Sequence, residues 1–187
     1  LYKYGGNPAG KAQKMKVYVD NAATTKLSQV AKEAMMPYFD IYYGNPSSLY
    51  SAGQHAAATI SEARAVIAKN LGCEPREIYF TSGGSEADNQ AIISAAQIGA
   101  KNNKKHIVST AFEHHAVLHV LNKLKKQGYE ITLLDVHEDG LVRPEEVEAA
   151  IRPDTCLVTI MFANNEIGTI QPIAEIGEIC RSKGVLF

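Results

Sequence analysis

The chain has 187 residues, 45% of them apolar, and a formal net charge of −1 with histidine neutral. That length fits one domain of ordinary size, with enough apolar surface for a packed core. So small a charge gives no electrostatic ground for nucleic acid or an anionic membrane as partner. No apolar run approaches the roughly 20 residues of a membrane span, and residues 1–14 lack the apolar centre of a secretion signal. Cys73, Cys156 and Cys180 are odd in number and widely spaced, so neither a disulfide framework nor a zinc set follows. They read as small buried apolar residues in a reducing, cytoplasmic setting.

Leu1 to Lys14 is polar and glycine-rich, and reads as a disordered tag or upstream extension. Met15 is the expected natural start, and Met15 to Asp20 the first short strand. Ala56, Ile60, Ala63 and Ile67 recur at helical spacing, which predicts an amphipathic helix over Ala52–Asn70 closed by Gly72. A strand over Ile78–Thr81 precedes a helix with Ala87, Ala91, Ala95 and Ile98 on one face, ending near Gly99. His106–Ser109 is a strand, and Val117, Leu121 and Leu124 mark a helix that stops at Gly128. Ile131–Leu134 is a further strand, and Pro144 opens a short helix at the first-turn position proline favours. Leu157 to Phe162 reads as a strand buried on both faces. Ile173, Ile176 and Cys180 mark the last helix, and Gly184 to Phe187 begins another strand. The alternation argues an α/β fold, a mostly parallel sheet with helices on both faces.

Thr81-Ser82-Gly83-Gly84-Ser85-Glu86-Ala87-Asp88-Asn89 joins a predicted strand to a predicted helix through a glycine turn. Backbone N–H groups and the positive end of a helix dipole converge there, which suits a phosphate. Ser85 and Asp88, three apart, have the shape of a capping box. Taken singly, the turn is equally a well-capped junction. In parallel sheets, however, ligands sit beyond the carboxyl ends of the strands. The segments Glu113-His114-His115, Asn164-Asn165-Glu166-Ile167-Gly168 and Asp20 to Thr25 also follow predicted strands. Each has a plain alternative. The histidines suit an exposed helix start, His115 and His119 lack a third metal ligand, and the asparagines suit a self-bonded turn. Together they suit a flat, phosphorylated, aromatic cofactor.

With Asp20 to Thr25 and Gly44-Asn45-Pro46-Ser47-Ser48 added, the set resembles the cysteine desulfurases, pyridoxal-phosphate enzymes of the class V aminotransferase group. The resemblance runs from about Val17 to Phe187. It implies the incomplete large domain of a fold-type I enzyme over residues 15–187. By position it implies that Gly84 and Ser85 bind the cofactor phosphate, with serine where many members have threonine. It implies that His114 stacks on the pyridine ring and takes part in proton transfer, and that Asn165 bonds the ring's phenolic oxygen. It assigns no metal, and no firm role to Asn21–Thr25 or Asn45–Ser48.

The resemblance further implies L-cysteine as substrate, with L-alanine and an enzyme persulfide as products. A homodimer follows, with an iron–sulfur scaffold or another sulfur acceptor as partner. The family's pyridinium-pairing aspartate, Schiff-base lysine and sulfur-accepting cysteine have no counterpart among these residues. The polypeptide alone is therefore expected to be inactive. Another class V enzyme, an aminotransferase or selenocysteine lyase, is the alternative within the fold. A non-catalytic half-domain acting as an interaction module is the alternative outside it.

Overall fold

The computed structural model describes residues 17–187. The expected extension over 1–14 and the expected start at Met15 lie outside them. The chain falls into two compact units that divide between Tyr43 and Gly44.

In the first unit, residues 17–20 form no strand, against expectation. A short extended segment stays single unless a neighbour takes its backbone bonds. Asp20 instead closes a turn, where the Ala23 N–H donates to its Oδ1 and its carbonyl, each at 3.3 Å. Two helices absent from the sequence reading follow, α1 (Gln29–Met35) and α2 (Pro37–Asp40). Both are under three turns, too short for periodicity to register. Their signals are terminal: Ser28 caps α1 by accepting from the Ala31 N–H at 3.1 Å, and Pro37 opens α2.

The second unit is built on a parallel sheet of β1 (His106–Thr110), β2 (Glu130–Leu134) and β3 (Thr155–Val158), in the order β2-β1-β3. Ile107 stands opposite Ile131 on one side and Leu157 on the other. Five helices accompany it: α3 (Ser51–Leu71), α4 (Gly84–Lys101), α5 (His115–Lys126), α6 (Pro144–Ala150) and α7 (Ile173–Ser182). Neighbouring strand residues point to opposite faces. Ile107 accordingly packs with Ile92 and Ala96 of α4 and Val120 and Leu124 of α5. Val108 packs with Val147 of α6 and Ile176 and Cys180 of α7. Helices cover both faces, as the alternation predicts.

Strand β1 is buried along its whole length and is the centre of the sheet. Its first residue is polar. His106 is fully buried, its Nδ1 2.7 Å from Thr155 Oγ1 and its Nε2 2.8 Å from Thr132 Oγ1. One hydroxyl from each flanking strand satisfies the ring, as a buried polar group requires.

The helix limits agree with the sequence reading, as do the buried faces of α5 (Val117, Leu121, Leu124) and α7 (Ile176, Cys180), but the faces of α3 and α4 do not. Gly72 (φ 70°) ends α3, but of its predicted apolar stripe only Ala56 is buried; Ile60 and Ile67 are each 37% exposed. On α4 the buried residues are Ile92, Ala95, Ala96 and Gly99, so Ala87, Ala91 and Ile98 lie on the exposed side. Alanine and glycine carry little hydrophobic contrast, and a stripe of alanines cannot say which side meets the sheet. The close approach of helix to sheet is at Gly99. A Cβ there would lie 2.9 Å from both Cys156 Sγ and the Lys104 carbonyl oxygen, and closer still to Cys156 Cβ.

Three predicted strands are reduced or absent. Ile78 to Thr81 is extended but pairs with no strand among the described residues, leaving Tyr79 and Phe80 exposed. It leans on α3 instead: Arg64 Nε donates to the Ile78 carbonyl at 3.3 Å, and its guanidinium lies 5.1 Å over the Phe80 ring. The run Leu157–Phe162 keeps the ladder only to the Thr159 N–H, which donates to the Val108 carbonyl at 2.9 Å. Gly184–Phe187 meets β3 in a single parallel bridge, Leu157 to Leu186.

The segment Gly44–Ser48 has a packing role. It abuts the start of α3, where a Cβ on Gly53 would sit 2.6 Å from the Asn45 carbonyl oxygen and 2.7 Å from Ser48 Cβ. Cys156 and Cys180 are buried as expected, while Cys73 is half-buried. Burial pushes the thiols of Cys156 and Cys180 up, away from the thiolate form a nucleophile needs.

Candidate functional site

Helix α4 begins without a side-chain cap. Gly83 stands at its N-cap in an extended conformation, and Gly84 and Ser85 occupy the first turn. The expected pairing of Ser85 with Asp88 is not made. Glu86 reaches back instead, its Oε2 accepting from both the N–H and the hydroxyl of Ser82 at 2.7 Å. These bonds hold its carboxyl below the usual carboxylate range. A Cβ built on Gly83 or Gly84 would meet nothing within 4 Å, so the space over this turn is open. The result is a helix N-terminus without a side-chain cap, facing open space.

Strand β1 delivers the second element. After Thr110 the chain turns through Ala111–Glu113, and His114 caps α5, its Nδ1 accepting from the Ala116 N–H at 3.1 Å. An imidazole that accepts at Nδ1 carries its proton on Nε2 when neutral. The ring is exposed. Its neighbour Glu113 is buried, with Oε1 accepting from the Met161 N–H at 2.7 Å and the Thr110 hydroxyl at 3.3 Å. Burial raises the Glu113 carboxyl above its ordinary value, partly offset by those two bonds.

The third element follows β3. Ala163 bridges Ile170 in antiparallel sense, and the Asn164 N–H donates to the Thr169 carbonyl at 2.9 Å. Inside this small hairpin, buried Asn164 accepts at Oδ1 from the N–H groups of Glu166 and Ile167, at 2.8 and 3.0 Å. Gly168 (φ 77°) completes the turn. The self-bonded turn read from the sequence is thus real for Asn164. Asn165 is exposed, and its amide makes no hydrogen bond among the described residues. The buried side chain of Gln171 anchors the base of the hairpin. It donates to the Gly140 carbonyl at 2.8 Å and accepts from the Val142 N–H at 3.0 Å.

His114 and Asn165 line one cavity of about 380 Å3, together with Phe112, Glu113, Leu118 and Glu166. The start of α4 is tied alongside. Asn89 Nδ2 donates to the Ser85 carbonyl at 2.7 Å and to the Ala116 carbonyl at 3.4 Å. Gly84 and Ser85 are not themselves among the residues lining that cavity. The cluster Asp20–Thr25 belongs to the other compact unit. A larger cavity of about 630 Å3 is mainly apolar, walled by Ile67, Leu71, Tyr79, Phe80 and Ala91. Thr81 and Ala87 also line it, but Gly84, Ser85, His114 and Asn165 do not.

This donor set fits a phosphorylated aromatic group such as pyridoxal 5′-phosphate. The glycine turn leaves backbone N–H groups open, an imidazole flanks the adjoining cavity, and an unbonded carboxamide faces it from the other loop. Among the described residues no group of three or more His, Cys, Asp or Glu side chains is placed to hold a metal ion. His115 and His119 stack as a pair 6.0 Å apart on α5. No helix among the described residues is long and apolar enough to cross a membrane.

Sequence reasoning left Glu113 and Gln171 without roles. Their signal is positional. Each is a buried polar residue, Glu113 just past the end of β1 and Gln171 just past the bridge at Ile170.

Comparison with known proteins bears on the family and the fold. Residues 17–187 match the model of the class-V aminotransferases. A cysteine desulfurase IscS of Methanosarcina thermophila is 51% identical over 171 residues, covering 91% of this chain and 42% of that protein. A putative cysteine desulfurase IscS 1 of Bacillus subtilis is 46% identical over 172 residues, covering 92% and 45%. Among solved structures, a NifS-like protein superposes with a TM-score of 0.86 at 39% identity, covering 90% of this chain and 46% of its own. SspA in complex with cysteine superposes at 0.85 with 38% identity, covering 90% and 48%. The chain therefore spans under half the length of the relatives it matches. With the family model matched from Val17 to Phe187, the chain belongs to the class-V aminotransferase family.

Proposed function

We propose that residues 15–187 form part of the cofactor-binding large domain of a cysteine desulfurase. L-cysteine and an enzyme thiol become L-alanine and an enzyme persulfide, the sulfur moving from the substrate carbon to the enzyme's sulfur. The observation that carries this reading is the cavity shared by His114 and Asn165, with the open start of α4 tied beside it through Asn89.

Gly84 and Ser85 offer backbone N–H groups to the phosphate, and the Ser85 hydroxyl adds a donor. His114 lies against the ring; with Nδ1 committed to Ala116, its Nε2 is the atom that holds or passes a proton. Asn165 donates its amide to the phenolic oxygen. Pyridoxal 5′-phosphate, when bound, supplies the electron sink that makes the substrate's α-proton and sulfur labile. The reading extends to a cytoplasmic homodimer that delivers sulfur to an acceptor such as an iron–sulfur scaffold. The high similarity to IscS-type desulfurases supports that extension.

Incubating the full-length protein with L-cysteine and pyridoxal 5′-phosphate is expected to yield sulfide, under reductant, and alanine in equal amounts. The 187-residue chain alone is expected to yield neither. Absence of both products from the full-length protein contradicts the assignment. Their release by the 187-residue chain contradicts the claim that residues outside it are required.

A further inference from the structure

We propose that Glu113 is a positioning residue that fixes His114 relative to Asn165 by clamping together the two loops that carry them. The inference rests on the cofactor-site reading above. Strands β1 and β3 are joined by backbone bonds as far as the Thr159 N–H and the Val108 carbonyl, 2.9 Å apart. Beyond that point the chains part, one toward His114 and the other toward Asn164 and Asn165. Among the described residues, the Glu113 carboxylate is the hydrogen-bonded link between them past the end of the ladder.

One of its oxygens serves both loops. Oε1 accepts from the Thr110 hydroxyl at 3.3 Å on its own side and from the Met161 N–H at 2.7 Å on the other. Met161 in turn touches the hairpin, its Sδ 3.5 Å from Asn164 Nδ2. Asn164 shapes the turn from which Asn165 projects, and His114 is the residue after Glu113. Movement at Glu113 is thus transmitted to the ring-stacking group within one residue and to the amide within four.

The residue is only 6% exposed, and a buried carboxyl is costly unless its oxygens are bonded. The titratable groups that bear on it are Asp88 from α4, which opposes its ionisation, and His114, which favours it. Among the described residues no cation pairs with it, and its hydrogen bonds are those to Thr110 and Met161.

The test uses the full-length protein, titrated with pyridoxal 5′-phosphate and followed by the absorbance band of the bound cofactor. Glu113→Ala is expected to weaken cofactor affinity about tenfold, the scale of one or two lost hydrogen bonds. It is also expected to shift the pH midpoint of the band. Glu113→Gln keeps an acceptor at the same reach and is expected to stay within about threefold of the parent. In a His114→Ala/Asn165→Ala background, Glu113→Ala is expected to add less than about twofold, because the groups it positions are gone. A further tenfold loss in that background, or unchanged affinity and spectrum in the parent, overturns the proposal and leaves the cofactor site standing. A parent protein that takes up no cofactor overturns the site reading, and this proposal with it. Where Glu113→Ala does not fold, Glu113→Asp, one methylene too short to span both donors, is read in the same cycle with the same expectation.

Discussion

Replacing Gly99 with alanine is expected to destabilise the second unit by about 1–3 kcal/mol, the usual cost of forcing a methyl group into a close-packed contact. Alanine is otherwise the better helix former by about 1 kcal/mol, which on an exposed site raises stability. At Gly99 the sign reverses. The added carbon meets Cys156 Cβ and comes within 2.9 Å of a backbone carbonyl oxygen, and neither is the free end of a flexible side chain. Relief requires α4 to lift from β3. Because α4 carries Gly84 and Ser85 at its far end, the same shift displaces the proposed phosphate donors. Thermal unfolding followed by circular dichroism is expected to show a loss of roughly 3 °C for each kcal/mol in a chain of this size. An unchanged or raised melting temperature contradicts the close contact.

The stability of the fold is expected to depend on pH through His106. Burial is the largest cause holding this imidazole below its ordinary value; Arg152 adds to the effect, while Asp154 and Glu130 oppose it. An unfolded histidine titrates near about 6.5. Between that value and the lower folded one, the unfolded chain binds a proton that the folded chain refuses. The contribution of His106 is therefore complete above about 6.5 and is lost as pH falls from there through the folded value. Glu113 works in the opposite sense. Its folded value is raised, so its contribution is complete at low pH and is lost as pH rises through that value.

Denaturant unfolding of the parent and of His106→Leu separates the two effects. The stability advantage of the parent is expected to hold from about pH 7.5 to 6.5 and to shrink as pH is lowered from there to about 5.5. An advantage that stays constant across that range contradicts a buried neutral imidazole.

Helix limits and the parallel sense of the sheet are legible in the chain because their signals are local. Gly72 and Gly128 stop helices, Pro144 starts one, and the β-then-α alternation fixes a parallel sheet with two covered faces. What is not legible is whatever depends on a partner. Ile78 to Thr81 has strand composition, yet a strand exists only where another accepts its bonds. The orientation of α4 is hidden because Ala87, Ala91, Ala95 and Ile98 are no more apolar than the stripe through Ile92, Ala96 and Gly99. The site divides in the same way. His114 and Asn165 stand at strand-to-loop junctions that sequence order alone places on one sheet edge. The self-bonded turn at Asn164 is legible, whereas the role of Glu113 depends on a bond to Met161, which no spacing rule encodes. The swap of Ser85–Asp88 for Ser82–Glu86 is a smaller case of this kind. A four-residue reach-back and a three-residue cap look alike until the N-cap is fixed at Gly83.

A crystal structure of the full-length protein grown with pyridoxal 5′-phosphate decides whether three segments so distant in the chain serve a single ligand. The phosphate is expected within hydrogen-bond reach of the Gly84 and Ser85 N–H groups and the Ser85 hydroxyl, with the ring between His114 and Asn165. A phosphate bound away from the start of α4, or a ring outside the cavity that His114 and Asn165 share, contradicts the account.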